Sequence, residues 1–349
     1  MLFSIYPTDS DETRRCVVDQ AVATAPGDGE RMLFTSLHMV ETDALARFGD
    51  VLRAFHDGDG VAFCADVSPA VLEHIAQTDD GWGWLATRGI KMLRLDYGFD
   101  AGEIRRIAEL SGCRIAVNAS TVDGAFLDAL DGVPVAGWHN YYPRPETGLT
   151  HDFAVSQSGL FSARGLPMFV FVPGEREFRA PLHLGLPTLE TQRHRPVWRN
   201  LVELRRVLPE AEIVCAEGPI AADHVSWIAE YARSGVVTLP VVGLDEAAAE
   251  LLERPWQLRV ESAAASFRLD ASRGGIRPVR LRNADLRERG SLQVDLEAYG
   301  RYRGEVHLMR TDRPLDAGQA RIGDVAAPYR GIVDDLLPGT IVRFAPFGA

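Results

Sequence analysis

Six acidic residues stand where short apolar runs give way to polar loops. They are Asp66 in VAFCADVSP, Asp96 in MLRLDYGF, Glu146 in HNYYPRPETGL, Glu175 in FVPGE, Glu190 in GLPTLE and Glu217 in IVCAEGP. Two carboxyl groups facing one cleft can break a glycosidic bond, one as acid and the other as nucleophile or base. A lone acid at a strand end more often caps a helix or pairs with an arginine, so the weight falls on the set. Asn118 closes another such run, RIAVN. The stretch after the run VPVAG holds Trp138, His139, Asn140, Tyr141 and Tyr142, with Phe153 beyond. Aromatic faces beside amide and imidazole groups suit a pyranose ring, and they equally suit packing of a loop on its scaffold. Arg144 and Arg179 carry planar forks that match an oxyanion such as phosphate.

Other chemistries find no support in the sequence. There is no H-E-x-x-H, no close histidine pair and no G-x-S-x-G elbow. The four cysteines, Cys16, Cys64, Cys113 and Cys215, form no C-x-x-C pair, so neither zinc nor a disulfide framework is expected. Lys91 is the only lysine, and it begins an apolar run rather than ending one, which argues against a Schiff base. The expected reaction needs no metal and no organic cofactor.

These residues need a scaffold that gathers strand ends. Eight short β-forming runs lie at 2–6, 32–37, 61–67, 92–98, 114–120, 133–141, 168–174 and 212–218. Most precede a helix-like segment such as AGEIRRIAELSG. That alternation over about 250 residues predicts a (β/α)8 TIM barrel, whose chemistry sits at the C-terminal ends of its strands. A doubly wound sheet is the competitor. It is weakened because no G-x-G-x-x-G opens a helix after the first run, and the loose match at 81–86 reads as a loop. Beyond Pro240 come a polar helix, GLDEAAAELLERP, and then short alternating segments: FRL, IRPVRLR, SLQVDLE, GEVHLMR and GTIVRFAPF. Period-two alternation with frequent turns predicts a small, mainly β domain. The expected domains are 1–240 and 241–349.

Composition agrees with a folded protein of two domains. Apolar residues make up 46 % of 349 and charged residues 25 %. The charge balance, 37 − 49 = −12, disfavours a nucleic acid or an anionic membrane as partner. No apolar window approaches the ~18 residues of a membrane span, and the start resembles no signal peptide, so a cytoplasmic location is expected.

The motif HNYYPRPETGLT at 139–150 resembles the signature of the MupG-like family of 6-phospho-N-acetylmuramidases. FSIYP at 3–7, FTSLHMVE at 34–41, ADVSP at 65–69, LRLDYGF at 93–99, VNAST at 117–121 and GLPTLE at 185–190 are similar to its barrel segments. The stretch from Ile276 to Met309 resembles its second domain. The resemblance implies a TIM barrel followed by a cyclophilin-like domain. It also implies hydrolysis of the β-1,4 bond of N-acetylglucosaminyl-N-acetylmuramic acid 6-phosphate, a phosphorylated disaccharide of cell-wall recycling. The chain departs from the family pattern at Gln192, where histidine is expected, at Ala180, and over residues 257–261. Those departures admit a related glycoside phosphate.

The sequence reading therefore places Asp96 and Glu146 as the carboxyl pair, with Asp66 in reserve. It places His139, Asn140, Tyr142, Asn118 and Glu190 against the sugar, and Arg144 and Arg179 against the phosphate. An isomerase or lyase acting on a sugar phosphate, or a silent binding protein, would use the same pocket. Oligomeric state is not legible.

Overall fold

The computed structural model describes residues 1–25, 31–38, 42–274, 276–278 and 286–348. The chain folds as two compact units, Met1–Ser226 and Trp227–Ala349.

The first unit is a parallel eight-stranded sheet in sequential order. Its strands are β1 (Phe3–Ser4), β2 (Arg31–Ser36), β3 (Val61–Val67), β4 (Ile90–Leu95), β5 (Arg114–Asn118), β6 (Val135–Trp138), β7 (Met168–Val172) and β8 (Ala211–Cys215). A parallel bridge between Leu2 and Val214 joins the two edges and closes the barrel. All eight expected runs are strands, and the TIM barrel is the fold. The residues 81–86 are not wholly a loop: Gly83–Ala86 forms a single helical turn ahead of β4.

Side-chain caps start several of the barrel helices. Ser68 accepts from the Val71 N–H with Pro69 at the first helical turn. Asp100 and Glu103 form a reciprocal capping box, and Gly112 ends that helix in the left-handed region at φ 64°. Asp123 and Thr150 cap the helices Gly124–Ala129 and His151–Ser162, accepting from the Phe126 and Phe153 N–H groups. The short capped connections after β3, β4 and β5 leave the side chains at those strand ends little freedom.

The barrel interior follows the two-residue period of a strand. Phe34, Cys64, Met92, Ala116, Ala136, Trp138, Phe169, Phe171 and Val214 form one buried cluster. Trp138 stacks on Phe169 with centroids 4.2 Å apart, and Phe34 meets Phe171 edge-on at 5.1 Å. Two residues on from Cys64 is Asp66. Two and four on from Met92 are Arg94 and Asp96. Two on from Ala116 is Asn118, and two on from Trp138 is Asn140. The apolar plug therefore gives way, towards the strand ends, to a polar layer of the same parity.

The second unit is mainly β. Its strands are β9 (Val237–Val242), β10 (Trp256–Gln257), β11 (Ser266–Arg268), β12 (Leu286–Arg287), β13 (Ser291–Asp295), β14 (Val306–Met309), β15 (Arg313–Pro314), β16 (Gln319–Val325) and β17 (Ile341–Pro346). Seven of them form one sheet in the order β10-β17-β9-β16-β13-β14-β11, and β12 pairs with β15. β17 runs parallel to β9, and the remaining pairs are antiparallel. Four of the expected segments hold strands. The expected strand at 276–282 lies outside the described residues from 279 onward. The polar segment after Leu244 is a 3-10 helix, Glu246–Leu252, capped by Asp245. Val237–Val242 follows a helix and reads like one more strand–helix repeat, yet its partners are β16 and β17.

Candidate active site

Arg94 is the centre of the polar layer. It is 1 % exposed, and its guanidinium reaches three partners. Nη1 donates to Asp66 Oδ1 at 2.9 Å, and Nη2 donates to Asp96 Oδ1 at 3.3 Å and to Asn140 Oδ1 at 2.8 Å. Asn118 Nδ2 donates to the same Asp96 oxygen at 2.8 Å. A buried cation requires such neutralisation, because desolvating it alone costs several kcal/mol. Asp96 remains the more accessible acid: 27 % of its side chain meets solvent, against 12 % for Asp66. Burial pushes the Asp66 carboxyl above its ordinary pKa, and Arg94 opposes that rise.

His139 and Asn140 supply the rigidity behind this cluster. His139 is fully buried, with Nδ1 on Ser120 Oγ at 3.1 Å and Nε2 on Ser158 Oγ at 3.0 Å. Burial drives its pKa down to about 4, so the ring is neutral at pH 7. Ser120 Oγ accepts from the Asn140 N–H, and Thr188 Oγ1 donates to the Asn140 carbonyl. With its backbone held on both sides, the Asn140 amide is aimed at Arg94.

Arg179 belongs to the loop after β7. Its Cζ is 3.4 Å from the centroid of the Tyr6 ring, and it also engages the Tyr141 hydroxyl. Tyr6 donates to the Ala216 carbonyl at 2.6 Å, while the Arg179 N–H donates to Glu217 Oε1 at 2.8 Å. Burial raises Glu217 to about 7, against the pull of the Arg179, Leu186 and Gly174 backbone groups. Glu175 accepts from the N–H groups of Val197 and Ala221 and pairs with His224 at 2.6 Å, which ties two helix starts together.

The signature loop is held by a clamp of its own. Arg193, 4 % exposed, donates twice to Glu190 and also to the carbonyls of Tyr142, Arg144 and Gly185. Glu190 also accepts from the Gly148 N–H at 2.8 Å, and the Arg193 guanidinium holds its carboxyl down at about 2. The loop carries Glu146, exposed and in the left-handed region at φ 69°. Its carboxylate makes no hydrogen bond or ion pair among the described residues, and the Arg144 guanidinium is likewise exposed and unpaired among them. The Tyr142 hydroxyl has no hydrogen-bond partner among them either.

The structure thus gathers Asp66, Asp96 and Asn140 on one guanidinium, with Asn118 joined to it through Asp96. It sets His139 behind them, places Glu190 under the signature loop, and puts Arg144 and Glu146 on that loop's surface. Arg94, Tyr6 and Arg193 were not among the expected site residues, and Tyr141 was read only as one of the aromatics around the signature motif. A mid-strand arginine between Met92 and Asp96 was a readable signal, because such a cation demands nearby acids.

Residues 3–216 match the family model described as 6-phospho-N-acetylmuramidase, N-terminal, and residues 238–345 match its C-terminal counterpart. The chain belongs to the 6-phospho-N-acetylmuramidase family. Membership makes it a glycoside hydrolase. A solved structure of a conserved Enterococcus faecalis protein of unknown function superposes with a TM-score of 0.84 at 25 % identity, covering 100 % of this chain and 97 % of that one. An uncharacterized B. cereus protein shares the fold, with a TM-score of 0.74 at 22 % identity over 99 % and 98 % of the two chains. No curated protein matches the chain. Among the described residues no helix is long and apolar enough to cross a membrane.

Proposed function

We propose that this hydrolase splits the β-1,4 bond between N-acetylglucosamine and N-acetylmuramic acid 6-phosphate, in cell-wall recycling, with Asp66 and Asp96 as its carboxyl pair. One observation carries the reading: both acids are bonded to the two terminal nitrogens of the buried Arg94 guanidinium. Carboxyl groups so tied are close together, as in retaining glycosidases with about 5–5.5 Å between them rather than the wider spacing of inverting ones.

Asp96 is the nucleophile. Arg94 and Asn118 both donate to its Oδ1, which fixes the group and leaves Oδ2 without a hydrogen bond among the described residues. Asp66 is the acid, since burial favours its protonated form. In the first step an Asp96 oxygen bonds to the anomeric carbon while the glycosidic C–O bond breaks, and the Asp66 proton passes to the departing oxygen. In the second step water adds to the anomeric carbon, its proton returns to Asp66, and Asp96 is released. Arg179 receives the phosphate, with Arg144 as a second cation on the loop. His139 acts through Ser120 on Asn140 and is a positioning residue.

A second assignment keeps Asp96 and takes Glu146 as the acid. The free carboxylate on a left-handed backbone favours it, because strain of this kind collects at functional sites. Kinetics on the phosphorylated disaccharide and on an aryl N-acetylglucosaminide with a good leaving group separate the two. We expect Asp96→Asn to lose about 10^3-fold or more on both. Asp66→Asn should fail on the disaccharide and retain the aryl glycoside, and Glu146→Gln should stay within a few fold. Exchange of the last two results moves the acid to Glu146. Absence of N-acetylglucosamine release by the unaltered chain rejects the activity.

A further inference from the structure

The mouth of the barrel is chemically lopsided. On the arc that runs from β6 through β7 and β8 to β1 stand Tyr141, Arg179 and Tyr6, where a guanidinium lies across a phenol ring. On the arc formed by β2, β3 and β4 the guanidinium is that of Arg94, buried and taken up by Asp66, Asp96 and Asn140. There Tyr97, one residue past Asp96, projects with 64 % of its surface exposed. It is the most exposed large apolar side chain of the first unit among the described residues. Single exposed apolar residues are ordinary on a protein surface, so exposure alone means little.

Its support sets Tyr97 apart. His38, two residues beyond the end of β2, meets the Tyr97 ring edge-on, with centroids 5.8 Å apart and planes at 74°. Its Nε2 lies 3.5 Å from the Tyr97 hydroxyl oxygen. β3 runs between the strands that carry these two residues, and its Asp66 pairs in register with Ser36 on one side and Arg94 on the other. The histidine–tyrosine pair therefore spans the strand end that holds Asp66. An aromatic face fixed beside two carboxylates, on strands that do not adjoin β7, where the Arg179 loop begins, matches the apolar C–H face of an uncharged hexopyranose.

We infer that Tyr97, buttressed by His38, is the stacking platform for the neutral sugar ring, so that the substrate lies across the mouth with its phosphate towards Arg179. This rests on the function proposed above, since it assigns the two ends of that substrate to two arcs of the barrel.

The test uses the full chain and the two products as separate probes, with binding followed by NMR titration or calorimetry. Tyr97→Ala should weaken N-acetylglucosamine about tenfold and leave N-acetylmuramic acid 6-phosphate within twofold. Tyr97→Phe should restore N-acetylglucosamine binding, and Arg179→Gln should show the opposite split. The platform is rejected if Tyr97→Ala weakens both products equally or neither, or if the unaltered chain takes up no N-acetylglucosamine at millimolar concentration. Disaccharide cleavage by the unaltered chain, measured alongside, keeps the two readings apart. Cleavage with no selective effect of Tyr97→Ala rejects the platform alone, and a selective effect without cleavage rejects the reaction alone.

Discussion

Asp66 and Asp96 share one guanidinium: Arg94 reaches the first through Nη1 at 2.9 Å and the second through Nη2 at 3.3 Å. Two carboxylates brought this close repel each other, and the cation between them permits both to occupy the cleft. Arg94→Met removes it and keeps an unbranched apolar stem. We expect kcat/KM to fall by about 10^2-fold or more and stability by about 3–5 kcal/mol, because the acids are left uncompensated. The alkaline limb of any residual pH–rate profile, set by the Asp66 proton, should move upward, because Arg94 no longer opposes the rise of that carboxyl. Denaturant melts and pH–rate profiles measure both, and an active, stable Arg94→Met protein would contradict the assignment.

The signature loop depends on Gly148. A Cβ there would stand 2.7 Å from both the Glu190 backbone nitrogen and its Oε2, and the backbone atom cannot yield. Gly148→Ala should therefore displace the loop, cost about 1–3 kcal/mol and raise KM more than it lowers kcat. Glu190→Gln, which weakens the Arg193 clamp without a clash, should raise KM in the same direction with a smaller loss of stability. Unchanged KM in both proteins would mean that the loop does not touch substrate.

Glu217 and His139 give opposite pH dependences. For Glu217 the folded pKa of about 7 lies above the ordinary 4.5, so the native state binds the extra proton between those values. Stability from this group is full below pH 4.5 and declines as pH rises to about 7, by roughly 3 kcal/mol. His139, held at about 4 against an ordinary 6.5, works the other way: its contribution is full above 6.5 and declines as pH falls towards 4. Glu217→Gln removes only the first. The stability of Glu217→Gln minus that of the unaltered protein should rise from pH 4.5 to 7 and level off beyond. A difference that stays flat over this window would show that Glu217 is not held as described.

In the second unit Glu305 gathers Arg273 at 3.3 Å, Arg259 at 3.7 Å and Arg268 at 3.9 Å. The carboxylate is 3 % exposed while the arginines keep 25–41 % of their side chains in solvent. Its loss therefore costs less than that of a wholly buried pair. Glu305→Gln should destabilise by about 1–3 kcal/mol, read as a shift of the urea midpoint. No shift would indicate that solvent replaces the carboxylate at all three arginines.

Much of this molecule was legible in its sequence. Eight apolar runs with helices between them specify a parallel sheet covered by helices, and the missing G-x-G-x-x-G after the first run favours a barrel over a doubly wound sheet. Parity within those runs already directs Asp66, Asp96, Asn118 and Asn140 to the face of Cys64, Met92, Ala116 and Trp138. What the linear order does not carry is contact between residues on different strands. Glu190 reads as a strand-end acid, but its partner is Arg193 three residues on. Together they hold a loop some forty residues earlier in the chain, where the Gly148 N–H donates to Glu190 at 2.8 Å. His139 reads as a sugar ligand because imidazole is polar, yet two serine hydroxyls satisfy both ring nitrogens inside the wall. Residue type and period decide which face a side chain takes. The closure of the barrel decides which neighbour it meets, because side chains from separate strands share a desolvated space only once the sheet has curled round on itself, and there each charge must find its counter-charge.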